Sequence, residues 1–276
     1  MIAICGFMIY NSTQLLREVR QLFMTLIIGH RGSAALLPEN TMESFRLAFQ
    51  LGAPTIEFDV HLSKDGVPVI IHDATLPRTT DGKGYVSRLT LKELEKFDAG
   101  YFFDPDKTGS FPERGKGHRI PTFEAMLAEF KTQNLCVEIK DSSEETTRKT
   151  VTLLKKYGAD DRAVVGSKHW IVSHTMKENY PEIKRFLSKK EFVMHYLNYK
   201  SGGTTIEKDP RAVASMPLEA CGLAFGNKEF IDYLHVLGIS AFYWTINNPL
   251  VMKELSKRGA DGIITDNPKL GVETLG

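Results

Sequence analysis

The sequence predicts a (β/α)8 barrel, an α/β fold with one long insertion after its third strand. Three observations lead there. Short β-rich runs alternate with helical patterns along most of the chain, and neighbouring parallel strands require such crossovers. Eight of these runs can be counted, the strand number of the barrel. The early runs stop at charged or titratable residues, as strands do when they deliver chemistry at their C-terminal ends. A length of 276 residues suits one domain of this class.

Taken in order, residues 1–23 read as an N-terminal extension and residues 24–276 as the barrel. The apolar stretch 1–10 is too short for a bilayer, which needs roughly 20 residues. No basic leader or small-residue cleavage site accompanies it, so no transmembrane segment and no signal peptide are expected. Leu15, Leu16, Val19 and Phe23 recur at helical spacing. Strand one is read at 26–29. Asn40 reads as the N-cap of a helix running to Leu51, with Phe45, Leu47, Ala48 and Leu51 inward and Gly52 at its C-terminal turn. Strands two and three fall at 55–60 and 67–71, joined by the turn Lys64-Asp65-Gly66. The pattern then loosens over 76–119, which contains a short helix at 91–97 and a Gly/Pro/Lys-rich stretch. Such a segment inside a barrel reads as a cap over the site. Thr122 caps the next helix. Strands at 135–140, 163–166, 183–187, 240–246 and 262–265 follow, with helices at 144–157, 171–179, 228–237 and 249–258 between them. Residues 188–221 show no clear period and read as a long loop.

Composition narrows the function. Net charge is +1, so no broad basic face for nucleic acid is implied and an anionic ligand must meet a local cluster. Three unpatterned cysteines, Cys5, Cys136 and Cys221, argue against a disulfide framework and for a reducing, cytoplasmic compartment. Cys136 lies in an apolar run and reads as a small buried hydrophobe.

The chemistry-bearing residues collect at strand ends. Residues two apart in a strand share a face, so Glu57 points with Asp59 and Glu138 with Lys140. Ionised carboxylates are costly to bury without a partner. Glu57, Asp59 and Glu138 together therefore suggest one bound cation, and oxygen-only ligands favour Mg²⁺ or Ca²⁺. His30 and His72 end strands one and three and suit a general acid and a general base. Arg31 and Lys140 would hold the non-bridging oxygens of a phosphodiester. His61, in register with Glu57 and Asp59, reads as a solvated rim histidine.

These residues fall in an ordered set. His30-Arg31-Gly32, Pro38-Glu39-Asn40-Thr41, Glu57-x-Asp59, His72-Asp73 with Arg78-Thr79-Thr80, Glu138-Ile139-Lys140, Trp244-Thr245-x-Asn247 and Thr265-Asp266-x-Pro268 span residues 26–268. As a set the chain resembles the glycerophosphodiester phosphodiesterase family. That resemblance implies a TIM barrel with an insertion where 76–119 falls here. It also implies a divalent metal on Glu57, Asp59 and Glu138, catalytic His30 and His72, and phosphate contacts from Arg31 and Lys140. Trp244 is placed in the pocket wall by the resemblance alone. The family's Ser-Phe pair after strand five is replaced by Ser167-Lys168, a departure that bears on substrate rather than chemistry.

The expected reaction is metal-dependent hydrolysis of glycerophosphodiesters to glycerol 3-phosphate and an alcohol. Which histidine is base, and whether water or the glycerol hydroxyl attacks, stay open. A lysophospholipase D using the same site on single-chain lipids is the alternative. A non-catalytic binding protein on the same barrel would have lost a histidine or a carboxylate. A metal-dependent aldolase barrel would not call for two histidines flanking a cationic pair. Oligomeric state is not legible.

Overall fold

A computed structural model of the chain describes residues 25–203 and 207–276. The expected N-terminal extension, including Cys5, lies outside the described residues. Eleven strands occur among them: β1 Leu26–His30, β2 Thr55–Leu62, β3 Pro68–Ile70, β4 Asn134–Ile139, β5 Ala163–Gly166, β6 Lys184–Phe186, β7 Ala212–Met216, β8 Glu219–Ala220, β9 Leu223–Ala224, β10 Ser240–Tyr243 and β11 Gly262–Thr265. Eight of these pair in parallel in the order β1-β11-β10-β7-β6-β5-β4-β2, and β2 returns to β1 to close the ring. The predicted (β/α)8 barrel is therefore observed.

Two strands differ from the sequence reading. β3 is not a barrel stave: it runs antiparallel to β2, with Val60 opposite Ile70 and Leu62 opposite Pro68. The connection 63–67 is far too short for the dozen or so residues a parallel crossover needs, so only a hairpin is available. The missing stave is β7, inside the stretch read as loop, which also holds the helix Lys189–Lys200. That helix exposes Val193, Met194 and Leu197 while burying His195 and Tyr196. Its apolar residues form no stripe, and helical periodicity is lost.

Helix starts follow local chemistry. Thr122, Ser143, Ser188, Asn227, Asn248 and Asn267 each accept a backbone N–H from the first turn of the following helix. For the helix Met42–Gln50 the cap is Thr41, not Asn40: its hydroxyl accepts from the Ser44 amide at 3.3 Å. Asn40 is left-handed, at φ 58°, which frees its side chain to turn into the barrel mouth.

Ile28, Cys136, Phe186, Val213, Phe242 and Ile264 fill the barrel interior. Cys136 is buried among them, as expected. A side chain at Gly262 would come within 2.7 Å of the Phe242 ring, so glycine there lets the ring fill the lumen. Larger apolar layers pack between the strands and the surrounding helices. The insertion has its own small core of Val69, Ile71, Leu76, Val86, Leu94, Ala99 and Ile120. It leaves and rejoins the barrel at one place, since the Ile70 amide donates to the Pro121 carbonyl at 2.8 Å. Among the described residues, no helix is long and apolar enough to cross a membrane.

Candidate active site

The mouth of the barrel is built from three strand exits and one hairpin. β1 places His30 opposite Glu57 of β2, and β2 places Asp59 opposite Glu138 of β4. Glu57, Asp59 and Glu138 present oxygens that all lie within 4.8 Å of one another. Lys140 stands over this cluster, its Nζ 2.9 Å from Asp59 and 2.7 Å from Glu138. Strand register thus brings four of the predicted site residues together, and Lys140 joins them one residue beyond β4.

Arg31 enters through backbone conformation. Arg31 and Gly32 are both left-handed, at φ 49° and 89°, and turn the chain sharply after β1. A methyl on Gly32 would meet the Ser44 carbonyl carbon at 2.8 Å, so no other residue fits. The turn aims the Arg31 amide at Glu57, at 3.2 Å, and its guanidinium at Glu39, at 2.8 Å, and Asp59, at 3.4 Å. Asn40 adds an amide donor to Asp59 at 2.8 Å.

The antiparallel β3 explains how His72 arrives. A strand running away from the mouth would carry its C-terminus out of reach; the hairpin instead folds back. The Ile71 amide donates to the Asp59 carbonyl at 3.0 Å, which sets His72 beside the carboxylates. Each histidine is then held by an aspartate on Nδ1, leaving Nε2 toward the mouth. His30 pairs with Asp266 at 2.6 Å and His72 with Asp73 at 2.6 Å. Asp266 is itself oriented by Asn247, whose amide donates at 2.6 Å. Asp73 is held by Arg78, which also grips Glu39 through both terminal nitrogens. The sequence reading gave no role to Asp73, Asp266, Asn247, Glu39 or Arg78, although each lay in a quoted motif.

Burial and charge pull these groups apart. Burial, with the charge of Asp59 next, pushes Glu57 up to about 8. Burial also opposes ionisation of Asp59, but Lys140 and Arg31 outweigh it and hold this carboxyl below its usual range. For His30, burial is outweighed by the hydrogen bond to Asp266 and the charge of Glu57, so its pKa lies above the ordinary value. For His72, burial prevails over Asp59 and Asp73, and its pKa lies below. Asp73, despite burial, is held down to about 2 by Arg78 and His72.

The remaining expectations divide. Trp244 follows β10 at the mouth and is 43% exposed. His61 is not a rim histidine: it is 6% exposed and bonded at both nitrogens. Of the insertion's aromatic residues, Phe102 and Phe103 line a cavity of about 170 Å³ with Ala34, Pro38, Arg78 and Thr79. Tyr101 and Phe111 instead clasp the Arg114 guanidinium at 4.0 and 4.2 Å.

The donor set fits a hard divalent cation. It offers oxygen only, and three carboxylates face two fixed cations, Arg31 and Lys140. A divalent ion would offset the charge of three clustered carboxylates, where burial otherwise opposes ionisation of Glu57 and Asp59.

Comparison with known proteins agrees with this geometry. The sequence model described as the glycerophosphoryl diester phosphodiesterase family matches residues 30–270. A glycerophosphodiester phosphodiesterase of Caldanaerobacter subterraneus is 33% identical over 254 residues, covering 89% of this chain and 95% of its own. A human lysophospholipase D is 25% identical over 93% of this chain and 88% of its own. The crystal structure of an Oleispira antarctica phosphodiesterase, in complex with the product sn-glycerol-3-phosphate, superposes with a TM-score of 0.73. That protein is 27% identical, covering 92% of this chain and 98% of the other.

Proposed function

The chain belongs to the glycerophosphoryl diester phosphodiesterase family, and we propose that it hydrolyses glycerophosphodiesters to sn-glycerol 3-phosphate and an alcohol. The observation that carries this is the pairing of two aspartate-oriented histidines with a cluster of three carboxylates at one barrel mouth. Glu57, Asp59 and Glu138 would hold one Mg²⁺ or Ca²⁺, which when bound supplies Lewis-acid stabilisation of the phosphoryl oxygens.

The histidines take opposite roles because their environments differ. His72, with its pKa lowered, is the base: its Nε2 accepts the proton of the attacking oxygen as that oxygen bonds to phosphorus. His30, with its pKa raised, is the acid: its Nε2 gives a proton to the alcohol oxygen as the P–O bond breaks. The attacking oxygen is that of water or of the neighbouring glycerol hydroxyl, and either route ends with one water consumed. Arg31 and Lys140 leave their carboxylate partners to grip the non-bridging oxygens. Trp244 stands exposed at the same mouth.

The cavity beside Phe102 and Phe103 would take the alcohol of the diester. It is lined in part by Glu39 and Arg78, the groups that reach Arg31 and Asp73 in the site. The lysophospholipase D reading is the second one, carried by a relative of lower identity than the phosphodiesterase relatives. The test uses purified protein stripped of divalent cations and then given glycerophosphocholine with Mg²⁺ or Ca²⁺. Release of sn-glycerol 3-phosphate and choline on adding a cation is expected. Formation of glycerol and choline phosphate, or no product with either ion, would overturn the reading.

A further inference from the structure

We infer that His61 is a positioning residue that fixes the main chain of His72 against the exit of β4. This rests on the catalytic role proposed for His72. His61 lies on β2 two residues beyond Asp59, on the same face, and is 6% exposed. Its Nδ1 meets Asp141 Oδ1 at 2.6 Å, and its Nε2 meets the carbonyl oxygen of His72 at 3.2 Å. Each ring nitrogen thus faces an acceptor oxygen, one on each of the two segments.

Asp141 is equally committed. Its second oxygen accepts from the Leu62 amide and from the Thr146 hydroxyl, each at 3.0 Å. Asp141 directly follows Lys140, so one imidazole ties the segment bearing Glu138 and Lys140 to the segment bearing His72. The need for such a tie follows from topology. His72 is not on a barrel stave; it hangs from a three-residue antiparallel strand at the root of the insertion. The Ile71 amide bond to Asp59 fixes the chain on one side of His72, and His61 fixes the carbonyl on the other. Asp73 orients the ring but leaves the backbone free to shift. A displacement of about 1 Å at a catalytic group can cost on the order of 10²-fold in rate. Losing this tie therefore lowers kcat while leaving the carboxylates and the diester grip in place.

Two substitutions separate the halves of the clamp. In His61→Gln the side-chain amide reaches the position of Nε2 and still donates to the His72 carbonyl. In His61→Asn it reaches only the position of Nδ1 and keeps the Asp141 partner. Each is measured against wild type for kcat, KM, divalent-cation affinity and thermal midpoint. His72 ring resonances are followed by NMR independently of turnover. We expect His61→Asn to lose about 10- to 100-fold in kcat, with KM and cation affinity within about twofold and the His72 ring broadened. His61→Gln should keep most of kcat and a sharp His72 ring. Wild-type kcat in His61→Asn overturns the inference, as does an equal fall in both variants that tracks lost thermal stability. If wild type itself releases no glycerol 3-phosphate, the function reading fails instead. The NMR comparison then decides the clamp, and an unchanged His72 ring in His61→Asn would reject it.

Discussion

At the scale of single residues the site depends on where charge is allowed to sit. Glu57 is the carboxylate least able to ionise unaided, because it is buried beside Asp59. Glu57→Gln keeps its shape and removes its charge, so the fold should persist while titration calorimetry with Mg²⁺ or Ca²⁺ shows no binding. Binding as tight as wild type would remove Glu57 from the ligand set. Asp73 makes a second case. Held down to about 2, it stays ionised at any working pH and supports the charged form of His72. Its folded value lies below the usual 3.8, so its contribution to stability is complete above that pH and fades as the pH falls toward about 2. In Asp73→Asn the carboxylate that raises the His72 pKa is gone. The acid limb of the kcat profile should move to lower pH, and the plateau should fall on the order of 10²–10⁴-fold. An unmoved limb would show that His72 is not the base.

At the scale of elements, two short segments position more than their size suggests. The turn after β1 exists because Gly32 accepts φ 89° against the Ser44 backbone. Gly32→Ala should destabilise the protein by about 1–3 kcal/mol in denaturant unfolding, and raise KM as Arg31 swings off its carboxylates. The insertion is the other. Its Arg114 clip and separate small core make it a preformed wall rather than a loose loop. Replacing Phe102 and Phe103 by Ala enlarges the cavity they line, which should change KM and the ranking of head groups while kcat on the best small diester moves far less. A uniform loss of kcat on every substrate, with KM unchanged and the protein folded, would place the insertion in the catalytic machinery.

At the scale of the molecule, the proposed cation and the barrel would share one equilibrium. A cation at 100 times its Kd stabilises the folded state by about 2.7 kcal/mol, which for a chain of this size raises Tm by roughly 5–10 °C. Calorimetric scans in Mg²⁺ or Ca²⁺ against chelator measure this, and Glu57→Gln should show no rise; identical midpoints in all three would argue against a structural cation. The sequence by itself determined the alternation that yields a barrel, the residue types at the mouth and the side from which most of them approach. Those properties are local: a strand's two-residue period and a motif's chemistry need no knowledge of what lies opposite. Local reasoning stopped at partners and direction. Asp266 reaches His30 across 236 residues only because β11 closes the ring onto β1. His72 reaches Asp59 because a five-residue connection forces β3 to turn back, and His61 finds Asp141 only once β4 is docked against β2. The helix before β7 stayed hidden because it exposes Val193, Met194 and Leu197 while burying His195. Register and ring closure are set by the packing of the whole chain, so the tertiary structure alone decided that Asp266 orients His30, whereas Asp73 is the sequence neighbour of its histidine.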